Sequence, residues 1–246
     1  MTDVIKVLDH GLVRLVEHMG SDLSIVRNAR VSYDAEWRTG KDEGKDAKLL
    51  NYLVKNRHTS PFESCVFTFE VKAPIFVFRQ WHRHRTWSFN EISARYAELP
   101  EEFYVPELNQ ITTQSEDNKQ MRTDEVHPRA NLMAEAIESR CTEAFATYKL
   151  LIEDGCPREL ARSILPVGTY SHMFATVDLH NLMHFLKLRL NSHSQYEIRV
   201  YAEAMLKLIE PIVPISVAAF REHVLGVVAQ PVPPVSPERY SFAVFD

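Results

Sequence analysis

The chain has 246 residues, 45% hydrophobic and 25% charged, with 13 Phe and 9 Tyr, enough apolar material for one large domain and far from a disordered composition. Its formal net charge of −5 speaks against general affinity for nucleic acid. Neither of its longest apolar runs, Ile75 to Phe78 and the interrupted Val213 to Phe220, approaches the roughly 20 residues of a membrane span.

In chain order, Val4 to Leu8, a turn at Asp9-His10-Gly11 and Leu12 to Val16 predict a hairpin. Ser21 predicts a helix cap, with the helix running through Ala29 and Val31, and Asp46 to Lys55 predicts a second helix. His58 to Glu63 is a polar corner with Pro61 at a helix start. Cys65, Phe67, Phe69 and Val71 alternate with polar neighbours, a half-buried strand ended by Pro74, and Ile75 to Arg85 reads as a helix. Residues 107–125 have no apolar period and are expected to form a long mobile loop or lid. Pro128 opens a long helix to Asp154, with Gly155 in the position that ends it. A short helix from Pro157, an extended stretch Val167 to Val177, a helix capped by Asp178 and another capped by Ser194 and closed by Pro211 follow. Residues 230–246 are expected to be an extended, proline-rich tail. With helices dominant and no βαβ rhythm, the fold class is α+β: a single domain over 1–246, mainly antiparallel sheet with long helices packed on it.

Absent motifs constrain the chemistry. The seven glycines form neither G-x-G-x-x-G nor G-x-x-x-x-G-K, so any dinucleotide must be held by side chains and helix ends. Cys65, Cys141 and Cys156 form no C-x-x-C pair, and the N-terminus lacks an export pattern, so free thiols in a reducing cytoplasm are expected. His180 and His184 have a spacing that can hold a metal, but no third ligand stands on a recognisable pattern and no metal is expected. The stretch Arg79 to Arg95 carries four arginines and two histidines against the single acid Glu91. A solvated basic face is its bland reading. The company of Gln80, Trp81, Trp87, Phe89 and Asn90 favours a confined anion site.

Within this stretch, Arg83-His84-Arg85, seven residues and then Ser93, embedded in Asn90-Glu91-Ile92-Ser93-Ala94-Arg95-Tyr96, resembles the signature of the flavin-dependent thymidylate synthases. His58-Thr59-Ser60-Pro61-Phe62-Glu63, Arg158 to Arg162 with Leu165-Pro166, and Asp178 to Arg189 with Ser192-His193 and Glu197 resemble further elements of that family, so the likeness spans about 50–200. It implies methylation of dUMP to dTMP, with 5,10-methylenetetrahydrofolate as carbon donor and FAD, reduced by NADPH, as hydride carrier. It also implies a homotetramer with active sites shared between subunits. Arg189 matches the arginine that acts on N3 of dUMP; a helix C-terminal arginine facing the dipole is its bland reading. The dUMP-binding positions are Gln80, Trp81, His82, Arg83, Glu91, Ile92, Ser93, Ala94, Arg95, Arg162 and Arg189. The FAD-binding positions are Ser60, Arg83, His84, Arg85, Glu91, Asp178, Leu179, His180 and His184. His58 matches a histidine near the reacting rings or is a buried corner histidine, and Ser93 is taken to bind substrate.

At roughly 100° per residue, Asp178 and Arg189 fall about 20° apart on their helix, with His180 and His184 on another face. The two faces are therefore expected to serve ligands in different active sites. Two further readings compete: a metal-dependent nucleotide hydrolase using His58, His180 and His184 with Glu63 and Asp178, and a non-catalytic RNA- or nucleotide-binding module on Arg79 to Arg95. Neither partner membrane nor nucleic acid is expected.

Overall fold

The computed structural model describes residues 4–227. The elements, in order, are β1 (Val4–Val7), β2 (Gly11–Met19), α1 (Asp22–Val31), α2 (Glu43–Lys55), β3 (Val66–Pro74), α3 (Ile75–Trp81), β4 (Ser88–Glu91), β5 (Thr112–Gln114), β6 (Arg122–Val126), α4 (Ala130–Glu153), α5 (Arg158–Ala161), β7 (Tyr170–Asp178), α6 (Leu179–Arg189), α7 (Tyr196–Ile209) and α8 (Pro214–Phe220). Five strands form one sheet in the order β1-β2-β3-β7-β4, every pairing antiparallel. The α+β expectation holds.

Strand β3 lies between β2 and β7, and its alternation decides which face of the sheet is buried. Phe67, Phe69, Val71 and Ala73 are fully buried. Thr68, Glu70 and Lys72 point the other way, where Thr68 Oγ1 meets Thr176 Oγ1 at 3.0 Å and Glu70 bonds Arg14 and His172 across both neighbouring strands. The apolar face is covered by α3, α6 and α7, and α1, α2 and α8 extend the same core. A second, small cluster of Phe145, Tyr148 and Ala161 joins α4 to α5.

Local signals set most boundaries. Ser21 caps α1 in a capping box with Ser24, and Asp178 caps α6 by accepting from the Asn181 backbone N–H at 2.9 Å. Gly155, at φ +82°, follows the C-cap of α4 in the left-handed conformation that ends a helix.

Three expectations need correcting. Helix α3 ends at Trp81, not Arg85. Trp81 and Trp87 both pack on Phe185, at centroid distances of 4.8 and 5.2 Å, so the chain must fold back between them and Arg83 to Arg85 occupy a turn. Helix α7 starts one residue later than expected, because the Ser194 hydroxyl donates to the Leu188 carbonyl at 2.6 Å and so closes α6 instead. The segment expected to be a loop holds a 3₁₀ turn, Leu108–Gln110, and the hairpin β5–β6. It is anchored where Arg122 reaches the buried carboxylate of Glu197 at 3.1 Å and the Gln110 carbonyl at 2.8 Å. No apolar period announces such a hairpin, since polar pairs such as Thr113 and Thr123 join its strands. The proline-rich tail expected over 230–246 lies outside the described residues.

Helix α8 is capped from a distance. Asp22 of α1 accepts from the backbone N–H groups of Ile215 at 2.8 Å and Ser216 at 3.1 Å, as well as from the Ser216 hydroxyl. Burial raises the Asp22 carboxyl to about 6, outweighing the three hydrogen bonds that favour its charge. Asp22→Ala is expected to lower unfolding free energy by about 2 kcal/mol, through a lost cap and buried unpaired N–H groups. With the folded pKa above the unfolded value, the contribution linked to this proton is complete below about 3.8 and lost as pH rises through about 6. Urea titrations at pH 4 and pH 8 check this: the variant should lack the wild-type decline.

Candidate active site

The turn from His82 to Trp87 wraps around Phe185. Trp81, His84 and Trp87 pack against that ring, His84 at 4.9 Å in an edge-on arrangement. Because these three side chains are drawn inward, Arg83 and Arg85 between them are left exposed. The turn thereby separates two concavities that share no lining residue.

The first is a cavity of about 550 Å³ lined by Arg79, His82, Glu91, Ile92, Ser93 and Ala94 on one side and Glu159 and Arg162 on the other. The Glu91 carboxylate is fixed by the Ser171 hydroxyl, which donates to Oε1 at 2.5 Å, while His82 Nε2 stands 4.0 Å from Oε2. Arg95 lies near the same cavity, 3.6 Å from Glu159. Two guanidinium groups and an oriented carboxylate suit a ligand that carries both an anion and N–H or O–H donors. The Ser93 hydroxyl accepts from the Arg95 backbone N–H at 3.3 Å, and among the described residues no basic side chain is bonded to it to activate it as a nucleophile.

The second is a groove of about 680 Å³ between the turn residues Arg83, His84 and Arg85 and the α6 residues His180, His184 and Arg189. Arg189 Nε donates to His84 Nε2 at 3.1 Å, and Nη2 donates to the Gln80 carbonyl at 3.0 Å. Nη1 makes no hydrogen bond among the described residues. Burial first, then the charges of Arg189 and His184, hold His84 down to about 4. The ring is therefore neutral near pH 7 and able to accept at Nε2, which places its own proton on Nδ1. Burial also draws the Arg189 guanidinium below its ordinary value, yet an arginine keeps its charge in proteins.

A cleft of about 250 Å³ continues the groove, for His180 and His184 line both. It adds Lys55, Arg57, Thr59, Phe62, Lys187 and His223. Together, groove and cleft are lined by Lys55, Arg57, Arg83, Arg85, Lys187 and Arg189 and, among the described residues, by no acid, within a chain of net charge −5. Such a strip fits the pyrophosphate of a dinucleotide held without a glycine-rich loop.

The structure thus gathers His82, Glu91, Ile92, Ser93, Ala94 and Arg162 in one place and Arg83, His84, Arg85, His180, His184 and Arg189 in another. Trp81 and Leu179 are fully buried in the core, which leaves only their backbone to a ligand. The Gln80 side chain bonds Gln195. Asp178 is occupied at the N-terminus of α6, bonding both the backbone and the side-chain amide of Asn181. Ser60 is exposed at the start of a 3₁₀ turn, Ser60–Ser64, beside the cleft residues Thr59 and Phe62. His58 is exposed and meets Tyr52 edge-on at 5.5 Å, so it is not a buried corner histidine. The expected division of α6 into two ligand faces fails, because His180, His184 and Arg189 line one groove. Azimuth locates a Cβ, whereas a long arginine side chain reaches around the helix to the turn.

Sequence reasoning missed Ser171, Lys55, Arg57, Lys187 and His223, whereas Arg79 belongs to the basic stretch it had singled out. Lys187 was within reach, since His180, His184 and Lys187 stand at i, i+4 and i+7 on one helix face. The others come from segments distant in sequence and leave no local signal.

A family model described as thymidylate synthase complementing protein matches residues 14–215. The flavin-dependent thymidylate synthase of Treponema denticola is 49% identical over 220 residues, covering 89% of this chain and 82% of that protein. The flavin-dependent thymidylate synthase of a Thermus thermophilus strain is 49% identical over 222 residues, covering 90% and 79%. Among solved structures, a UMP/dUMP methylase, PolB from Streptomyces cacaoi bound with 5-Br dUMP, matches with a TM-score of 0.81 at 36% identity, covering 92% of this chain and 100% of that one. With most of its length matched in sequence and in fold, this chain belongs to the thymidylate synthase complementing protein family, the flavin-dependent thymidylate synthases.

Proposed function

We propose that this chain methylates the uracil of dUMP to dTMP, with 5,10-methylenetetrahydrofolate as carbon donor and FAD, reduced by NADPH, as cofactor. Family membership supports the reaction, and one observation in the site carries it. Arg189 is clamped at Nε and Nη2 while Nη1 is left for a ligand. Uracil C5 is a weak nucleophile until negative charge on O2, N3 and O4 is stabilised. A fixed guanidinium beside the ring does this without proton exchange, and its clamps remove the reorganisation a free side chain would need. Neutral His84 is part of that clamp, because a protonated ring would repel the arginine.

No cysteine lines any of the three concavities. Burial pushes the Cys65 thiol up to about 12, and Cys141 is raised by burial as well. A thiolate attack on C6 thus has no candidate here. The groove and cleft, with Arg83, Arg85, Arg57, Lys55 and Lys187, would hold the FAD pyrophosphate, and Ser60, His180 and His184 border it. Bound and reduced, FAD supplies the hydride that turns the transferred one-carbon unit into a methyl group.

The dUMP positions fall into two separate concavities, one with Arg189 and Arg83 and one with Glu91, Ser93 and Arg162. We infer that a complete site forms only where the two meet across subunits of a homotetramer. Exposed apolar residues favour such assembly: Leu132, Met133 and Ile137 on α4, and Leu160, Ile164 and Val167 beside the Arg162 cavity. The hydrolase reading lacks support, since among the described residues no group of three His, Cys, Asp or Glu could hold a metal ion. No described helix is long and apolar enough to cross a membrane. Three free thiols accord with a reducing cytoplasm.

Three outcomes test these readings. Arg189→Ala should retain the flavin absorbance bands yet lose at least about a hundredfold in turnover, the scale of a removed transition-state donor; normal dTMP release would refute the assignment. His84→Gln, which keeps an acceptor, should preserve turnover better than His84→Leu. Because the folded pKa of His84 lies below its ordinary 6.5, the stability linked to it is present above 6.5 and lost as pH falls through about 4. Thermal midpoints of the wild type should show that decline and those of His84→Leu should not. For shared sites, unfolding and refolding Arg189→Ala with Arg162→Ala as a mixture should restore about a quarter of wild-type activity, the statistical yield of intact sites in mixed oligomers. A mixture as inactive as its parents would place both residues in one subunit's site.

A further inference from the structure

Between α1 and α2 the chain builds a cavity of about 600 Å³ that shares no residue with the groove, the cleft or the Glu91 cavity. It is lined by Arg30, Tyr33, Trp37, Arg38, Lys41 and Lys45, with Asp42 as the one acid among the described residues. Tyr33 and Trp37 are 86% and 58% exposed, an uncommon state for two large aromatic side chains in one short loop. The Arg38 guanidinium and the Lys41 ammonium stand 4.9 and 4.5 Å from the centroid of the Trp37 ring. The loop is a built structure. Buried Asp46 takes the Gly40 backbone N–H at 2.8 Å and pairs with Arg30. Asp42 caps α2 and pairs with Lys45. Two demands are left open. Arg38 and Lys41 have no carboxylate partner among the described residues, and the buried Nη1 of Arg30 has no acceptor.

Flat rings beside unpaired cations are what a phosphorylated nucleotide requires: a base stacks, and phosphates take the guanidinium and ammonium donors. We propose that this cavity docks the phosphorylated adenosine end of the dinucleotide reductant, with Trp37 and Tyr33 against the adenine and Arg38 and Lys41 toward its phosphates. The proposal rests on the reading above that NADPH reduces the flavin. Helix α2 links the two regions: Lys45, near its N-terminus, lines this cavity, and Leu53 to Lys55, at its other end, line the cleft. At 13 residues the helix is about 20 Å long, a span of the order of an outstretched dinucleotide.

The three tryptophans make the test selective, because Trp81 and Trp87 are buried and Trp37 is the exposed one. The holoenzyme is titrated with adenosine 2′,5′-bisphosphate and with ADP while tryptophan emission is followed. The bisphosphate should quench saturably and more tightly than ADP, and Trp37→Phe should lose the quenching. In steady-state assays Arg38→Ala/Lys41→Ala should raise the KM for NADPH roughly tenfold, as expected for a lost charge-assisted hydrogen bond. Turnover at saturating NADPH and the KM for dUMP should be unchanged. Unaltered KM for NADPH in the double variant, or equal quenching in Trp37→Phe, overturns the docking site and leaves the proposed reaction intact. If NADPH fails to reduce the wild-type flavin although dithionite-reduced enzyme makes dTMP, the choice of reductant falls and this site falls with it.

Discussion

Phe185 is the contact on which the site's geometry depends. One fully buried ring on α6 receives Trp81 in a stack and His84 and Trp87 from the sides. These contacts bind the end of α3 to α6 and force the chain between the two tryptophans into a tight turn. Aromatic packing of this kind is worth about 1 kcal/mol per pair beyond burial, and each pair here also sets a direction. His84 is held where its Nε2 can accept from Arg189, and Arg83 and Arg85 are turned outward. The charged residues of the signature are thus placed by the uncharged ones among them.

Electrostatics follow from that placement. In an acidic chain, cations are gathered into strips that no described acid lines, where their summed positive potential draws phosphate. Where acids do enter, each has a task. Glu91 is oriented by Ser171, Glu197 anchors the β5–β6 hairpin through Arg122, and Asp46 holds the α1–α2 loop. Asp22 differs, as burial costs it more than its hydrogen bonds return, so it caps α8 while resisting its own charge. The cations that matter for ligands are those left without such partners.

The proposed assembly answers to a division within the single chain. The positions proposed to bind dUMP lie on both sides of the His82–Trp87 turn, in concavities that share no lining residue. Under the proposed assembly, a second copy would bring one of them across to the other. Exposed apolar side chains around Arg162 and along α4 are the surface by which copies would meet.

The sequence by itself determined the elements with strong local signals: the Ser21 and Asp178 caps, the alternation of β3, the Gly155 stop and the signature from Arg83 to Ser93 with the family it implies. These depend on neighbours a few residues away, so they are written in the order of the chain. Tertiary structure alone decided that Trp81 belongs to the core, that His84 serves Arg189, that Ser194 closes α6, and that Lys55, Arg57 and His223 join His180 in one cleft. It also made a hairpin of the segment after Glu107, whose anchor is a carboxylate some 75 positions further on. Such pairings are chosen by which side chains the packed core brings within a few ångströms of one another, and spacing along the chain carries no record of that distance.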